Sequence, residues 1–358
     1  MNVLTVHRLG RVEYADGLEL QRQFVAARRA GAVTDTLLLL EHPPVLTLGR
    51  GAKGGNILAP AERLAAFGIQ VHETDRGGDV TYHGPGQLVG YPLLYLGPGR
   101  QDVRRYVRSL EEVIIRTLAD FGIAGTRVEK WPGVWLQASR LGGLRKICAL
   151  GVHLSRWYTR HGFALNVQPT LEHFELIIPC GIREAGVTSM AEELGSAVSV
   201  AEVEARVAFH FGQVFEAQVR EAPEPVKTIS CVVAREDGKV LLLKRIPEKG
   251  GFWQVVTGRV EDGESEACAA LRELREETGL TLPVRSLGYV HAFAWGEVVP
   301  PRLAREHAFV ARARADVQVV LSPGEHDAFE WVTLEALEAR VPWEGLKVAA
   351  RRAVAGGA

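Results

Sequence analysis

Three glutamates in the C-terminal third, Glu273, Glu276 and Glu277, fall at i, i+3 and i+4, so a helix would gather their carboxylates on one face. Like charges this close repel unless a cation sits among them. Oxygen-rich acidic sites suit Mg²⁺ or Mn²⁺, which keep positions open for water and phosphate. Taken alone, the three glutamates also fit a solvated helix face, with Arg272 and Glu276 as an ordinary ion pair. The wider spacing, Gly258-x5-Glu264-x7-Arg272-Glu273-Leu274-x-Glu276-Glu277-x-Gly279-Leu280, argues against that reading. Leaving aside Leu274 and Leu280, where any bulky aliphatic residue would serve, the seven specified residues at about 7% usage each coincide roughly once in 10⁸ positions.

The N-terminal part offers a different chemistry. Cys180 lies in "IIPCGIREAGVTSM", between a proline and a glycine. A thiol acts as a nucleophile only as thiolate, and at an ordinary pKa of about 8.5 it is mostly protonated at pH 7. Lys146 opens the otherwise apolar run "KICALG" and could hold its ammonium at a pocket rim to stabilise that thiolate, or be a strand-end lysine with its stem laid on apolar surface. His83 and His161 are alternative bases or turn residues. Arg76-Gly77-Gly78 and His83-Gly84-Pro85-Gly86 would let backbone approach a bound molecule closely, and ordinary turns would read the same way. Cys148, two residues from Lys146, reads as packing.

These residues need elements to position them. Residues 102–121 place apolar side chains at helical spacing, and Gly122 can end that helix. A second helix starts at the capping box Ser199-x-x-Glu202. "TLLLLEHPPVLTLG" reads as strand, Pro-Pro turn and strand, and "KICALGVHLSRWYTRHGFALNV" as paired strands around a turn near Arg160. The first domain is thus expected to be mixed α and β with mainly hairpin connections. "AQVREAPEPVK", with two prolines among charges, marks a junction near residues 221–226, giving domains 1–220 and 226–358. Beyond it, Asp237-Gly238 predicts a hairpin turn. A helix from about Glu266 to Thr278 would carry the glutamates, with Ala267, Ala270, Leu271 and Leu274 as its anchoring face.

The whole chain limits the alternatives. Its 358 residues suggest two domains, and 47% hydrophobic with 24% charged residues is a globular balance. With 42 basic and 43 acidic residues, no polycationic surface argues for a nucleic-acid polymer or an anionic membrane. Neither a signal-peptide core nor a run of roughly 20 apolar residues is found, so no membrane association and a cytoplasmic location are expected. Four cysteines without Cys-x-x-Cys spacing leave no disulfide framework or structural zinc site.

The acidic motif resembles the Nudix box, across roughly residues 226 to 350. The resemblance implies an α/β/α sandwich that hydrolyses a nucleoside diphosphate linked to another group. It implies Mg²⁺ (or Mn²⁺) on Glu273, Glu276 and Glu277, help from Glu264, Arg272 orienting the glutamates, and Gly258 and Gly279 as the box glycines. "FWQVVTGRVEDGES" and "EHDAFEWVTLEAL" look most similar to members cleaving nucleoside triphosphates, dATP and dihydroneopterin triphosphate among them.

The first domain resembles lipoyl(octanoyl) transferases, also called lipoate-protein ligase B. The matching runs, in order, are "EHPPVLTLGR", "RGGDVTYHGPGQL", "GVW", "KICALG", "HGFALNV", "PCGI" and "VTS". This chain departs at Cys148, where the family usually has alanine. The resemblance implies an α/β (α+β) domain of the biotin and lipoate ligase type. It implies transfer of octanoyl from acyl carrier protein, through a thioester on Cys180, to a lysine on the lipoyl domains of 2-oxoacid dehydrogenase E2 subunits and of glycine cleavage H protein. Lys146 would lower the thiol pKa and serve as acid and base, with no cofactor and no ATP. Arg76, Gly77, Gly78, Asp79, Val80, Thr81, Tyr82 and His83, then Ala149, Leu150 and Gly151, then Gly162, Phe163 and Ala164, match the acyl-binding segments. Two alternatives stay open: an ATP-dependent ligase of the same fold, and a second domain acting as a non-catalytic nucleotide sensor.

Overall fold

The computed structural model describes residues 2–52, 54–137, 143–178, 185–295 and 302–356. Cys180 therefore lies outside the described residues. The chain divides into two compact units, one of Met1–Tyr14 with Leu18–Pro223 and the other of Glu224–Ala358 with the short stretch Ala15–Gly17.

The first unit is built from β1 (Asn2–Arg11), α1 (Tyr14–Arg29), β2 (Asp35–Glu41), β3 (Val45–Leu48), α2 (Ala61–Ala66), β4 (Gln70–Glu73), β5 (Val80–His83) and β6 (Gln87–Leu93). There follow α3 (Val103–Asp120), β7 (Thr126–Val128), β8 (Trp131–Gln137), β9 (Leu144–Ser155), β10 (Tyr158–Asn166), β11 (Gly186–Val187), α4 (Met190–Leu194), α5 (Val200–Val214) and β12 (Ala217–Glu221). The main sheet runs β12-β1-β2-β6-β10-β9-β8-β7, with β11 beside β9, and a small sheet runs β4-β3-β5. α3 and α5 cover the main sheet through a core that includes Leu110, Ile114, Val203 and Phe211 against Leu37, Leu88 and Leu165. Both helices begin where the sequence supplies a cap: Asp102 accepts from the Arg105 amide at 3.0 Å and Ser199 from that of Glu202 at 3.4 Å.

Three local expectations change. The Pro43-Pro44 step does not close a hairpin, because β2 belongs to the main sheet and β3 to the small one. Successive prolines remove two amide donors, so the chain leaves one ladder there and starts another. Hairpins are also less dominant than expected: β1 lies parallel to β2 and to β12, and β3 parallel to β4. The β9–β10 turn is at Arg156-Trp157, where Ser155 pairs with Tyr158, rather than near Arg160. Both turn residues take positive φ, 51° and 66°, the backbone of a two-residue hairpin turn usually signalled by Asn or Gly.

The second unit comprises β13 (Val226–Arg235), β14 (Val240–Arg245), β15 (Trp253–Gln254), β16 (Val256–Arg259), α6 (Glu266–Thr278), β17 (Val284–Trp295), β18 (Arg302–Ala313), β19 (His326–Val332), α7 (Leu334–Arg340) and α8 (Glu344–Ala355). Its sheet runs β15-β14-β13-β18-β17, with β16 paired to β13 and β19 to β14. Strand alternation sorts β13 between two cores: Ile229, Cys231 and Val233 pack toward α6, while Val232 and Ala234 pack toward α7 and α8. This is the expected sandwich of a sheet between helical layers. The predicted turn forms at Asp237-Gly238, with Gly238 at φ 80°.

α6 has the predicted bounds but a different inner face. Ala270 and Leu274 are buried as expected, whereas Leu271 is 43% exposed and Ala267 also faces solvent. Ala269, Glu277 and Thr278 take their place. The helix is rotated so that one carboxylate of the acidic motif points inward.

Candidate active sites

In the first unit, a cleft of about 460 Å³, part of it open to solvent, collects residues from all three glycine-bearing segments. Alternation along β5 decides who faces it. Thr81 and His83 line the cleft, while Val80 and Tyr82 point into a separate core with Leu46 and Ile177. Arg76 and Gly78 from the preceding loop also line it, Ala149, Leu150 and Gly151 come from β9, and Gly162, Phe163 and Ala164 from β10. Gly77 and Asp79 support the loop instead: the Gly77 amide donates to Val152 O at 3.0 Å, and Asp79 accepts from Asn56 and from the Val80 amide.

A buried polar chain fixes the floor. The Arg76 guanidinium donates to Thr47 O at 2.7 Å and to Thr47 Oγ1 at 2.8 Å, and Thr47 Oγ1 meets His83 Nε2 at 3.4 Å. On its other side, His83 Nδ1 donates to Gln87 Oε1 at 2.7 Å. Gln87 Nε2 donates to Asn166 Oδ1, and Asn166 Nδ2 donates to Thr188 O at 2.9 Å. Burial, with the nearby His42 and Arg76, pushes His83 down to about 3, so it is neutral. Gln87 and Asn166 belong to the quoted "GPGQ" and "ALNV" runs, but their joint role arises only when β6 and β10 pair.

His161 enters the cleft from a strained backbone, φ 56°, unusual for a non-glycine residue. Its amide donates to Gln21 Oε1 at 2.7 Å, and its Nε2 donates to Asp75 at 2.8 Å. Burial lowers His161 to about 4. Burial would raise Asp75, but the His161 hydrogen bond and the charge of Arg160 outweigh it and hold the carboxyl at about 2. Tyr14, Val89 and Tyr91 complete the lining, and no spacing in the sequence announced them.

Lys146 is buried on β9, three residues before Ala149, and is not among the described residues that line the cleft. Its ammonium lies 4.5 Å from the Trp135 ring centroid, a cation–π contact. Val187 pairs with it in parallel, and the Thr188 amide donates to its carbonyl at 3.0 Å. Cys148 is fully buried in the main core, which pushes its thiol well up, so it packs rather than reacts.

In the second unit, Arg272 is the hub of the acidic motif. It donates to Glu264 at 3.0 and 3.1 Å, to Glu273 at 2.7 Å, to Glu276 at 3.3 Å and to Arg259 O at 2.9 Å. Gly258 leaves the space these bonds need, since a Cβ there would fall 2.0 Å from Glu273 Cδ. Gly279 ends α6 in the left-handed conformation.

Glu277 stands apart from this cluster. It is 2% exposed, and neither oxygen has a partner of ordinary hydrogen-bond geometry; the Thr257 backbone offers only a weak contact. Burial, then the charge of Glu273, raises its carboxyl well above the usual range, with Arg245 opposing. A buried carboxylate with no other strong partner suits a divalent cation as its partner. The fold brings Glu325 and His326 to it, with potential ligand atoms of all three within 4.8 Å of one another. Glu325 is held by Lys249 at 2.8 Å and Arg245 at 3.5 Å. Neither residue is in the box, and only the pairing of β19 with β14 places them here.

The two sites point to the class of the protein: a glycine-bordered polar cleft in one unit and a carboxylate cluster on the acidic helix in the other. Residues 13–212 match the lipoyl protein ligase A/B catalytic domain family, and residues 224–351 match the NUDIX domain family. The chain belongs to the lipoyl protein ligase A/B catalytic family, as an enzyme of octanoyltransferase type with a Nudix hydrolase domain. An octanoyltransferase of Myxococcus xanthus is 56% identical over 358 residues, covering 99% of this chain and 100% of the relative. One from Chloroflexus aurantiacus is 51% identical over 221 residues, covering 62% of this chain and 97% of the relative. Among solved structures, the E. coli dihydroneopterin triphosphate pyrophosphohydrolase is 26% identical and covers 37% of this chain and 96% of its own, with a TM-score of 0.34. No helix of the described residues is long and apolar enough to cross a membrane.

Proposed function

We propose that the first domain moves an octanoyl group from acyl carrier protein to a lysine of a lipoyl domain through a thioester on Cys180. The observation that carries this reading is the register of β11. That strand follows the Cys180 segment by a few residues and runs beside Arg145 and Lys146, on the strand that also supplies Ala149 to Gly151 to the cleft. The Cys180 thiolate attacks the thioester carbonyl, and the carrier's thiol leaves. The neutral amine of the acceptor lysine then attacks the new thioester, an amide forms, and the Cys180 thiol is released. The first exchange is nearly isoenergetic and the amide makes the second favourable, so no ATP is consumed. Lys146 stabilises the thiolate and passes protons, and His83 and His161, both neutral, shape the polar wall of the cleft.

The second domain, on this reading, hydrolyses a nucleoside diphosphate derivative, with Glu277 and its neighbours holding Mg²⁺ or Mn²⁺. The metal supplies charge neutralisation on phosphate oxygens and an acidified water. Arg272 keeps Glu264, Glu273 and Glu276 oriented, and Glu325, from outside the box, stands beside Glu277. Full-length protein is to be mixed with octanoyl acyl carrier protein, without ATP, and weighed by mass spectrometry. A single acyl adduct lost in Cys180→Ser is the expected result; an adduct that persists in the variant, or that needs ATP, overturns the scheme.

A further inference from the structure

We infer that His326 is a nitrogen ligand of the divalent cation in the second unit, completing a site with Glu277 and Glu325 that takes Mn²⁺ in preference to Mg²⁺. The inference rests on the reading that Glu277 binds a cation at all, and adds to it a ligand and a metal preference that the acidic motif does not contain.

Four observations support it. First, His326 is 2% exposed, and both of its ring nitrogens lack a hydrogen-bond partner. A buried imidazole normally satisfies at least one, because leaving a polar group dry and unpaired costs free energy. Second, the two oxygens of Glu277 show the same deficit. Orphaned donors and orphaned acceptors would ordinarily pair with each other; here they stand side by side without a bond. Third, the ligand atoms of Glu277, Glu325 and His326 all lie within 4.8 Å of one another. A cation with bonds of about 2.1 Å separates its ligand atoms by about 3 to 4.2 Å, so shifts of a few tenths of an ångström to about half an ångström close the site. Fourth, the close ion pairs of Lys249 and Arg245 go to Glu325, whereas the side chains of Glu277 and His326 are left without a hydrogen bond of their own.

The position of the ring is set by the backbone: the His326 amide donates to Ser322 O at 3.1 Å, and the residue begins β19 opposite Arg245 of β14. One imidazole among carboxylates moves a site away from Mg²⁺, which takes oxygen almost exclusively, and toward Mn²⁺, which accepts both.

Manganese electron paramagnetic resonance on the full chain, with histidine labelled by ¹⁵N, tests this. The expected result is one bound Mn²⁺ whose echo modulation switches from ¹⁴N to ¹⁵N on labelling and disappears in His326→Gln. Glu277→Gln should abolish binding. In His326→Gln the Mn²⁺ dissociation constant should rise about tenfold or more, with a smaller change for Mg²⁺. Mn²⁺ bound without histidine modulation, or with modulation that persists in His326→Gln, overturns the nitrogen ligand and leaves the carboxylate metal site standing. No stoichiometric Mn²⁺ binding overturns the metal reading itself. Should His326→Gln fail to fold, the isotope switch in the unaltered chain still decides whether an imidazole is bound.

Discussion

At the scale of single residues, both sites depend on where charge is compensated. Asp75 is held by Arg160 and His161, and its carboxyl lies near 2 against an ordinary 3.8. A depressed carboxyl contributes stability that is present above its unfolded pKa and lost as pH falls through the folded one. The melting temperature of Asp75→Asn should therefore lie below that of the unaltered protein by a constant amount from pH 7 to 5, and the gap should narrow between pH 4 and 2. A gap that does not depend on pH would mean that Asp75 acts by shape alone. In the acidic motif the same logic separates Glu273 and Glu276, which share Arg272, from Glu277, which has no such partner.

At the scale of elements, close backbone approaches decide whether the residues meet. Gly86 takes φ 85°, and its carbonyl accepts from the Val167 and Gln168 amides, tying the start of β6 to the end of β10. A Cβ there would stand 2.3 Å from Gln168 O. Gly86→Ala should cost roughly 1–3 kcal/mol by chemical denaturation, through overpacking and the left-handed backbone together. Gly258→Ala is a sharper test in the second unit, because the added methyl would displace the Glu273 carboxylate while leaving α6 intact. Hydrolysis should fall about 100-fold with helix content unchanged, the size expected when a group in a reactive site moves by about an ångström. Retained hydrolysis would show that Glu273 is dispensable. The cap of α6, Ser265 bonded to the Cys268 amide at 3.2 Å, should be worth about 1 kcal/mol, read as the stability lost in Ser265→Ala.

At the scale of the whole chain, each unit has its own sheet and its own buried clusters. β12 ends at Glu221 and β13 begins at Val226, leaving a short proline-bearing connection between them. Residues 1–223 and 224–358 expressed separately should each unfold in one cooperative transition, followed by circular dichroism. The first should acylate at Cys180 without the second, and the second should bind Mn²⁺ without the first. A fragment that remains unfolded would make the junction a covalent convenience rather than a boundary between folding units.

Much of this protein was determined by its sequence alone. The acidic motif, the glycine-bearing runs, the Ser199 and Asp237-Gly238 signals and the bounds of α6 are local properties, set by spacing, capping and turn chemistry that neighbouring residues fix among themselves. Tertiary structure decided the rest. Which side of α6 turns inward, which half of β5 faces the cleft, and the joining of Thr47, His83, Gln87 and Asn166 into one polar chain all depend on strands distant in sequence lying side by side. His326 is the clearest instance: nothing near it in sequence marks it as a ligand. It becomes one candidate among the buried polar groups only because β19 pairs with β14 and sets an unsatisfied imidazole against an unsatisfied carboxylate.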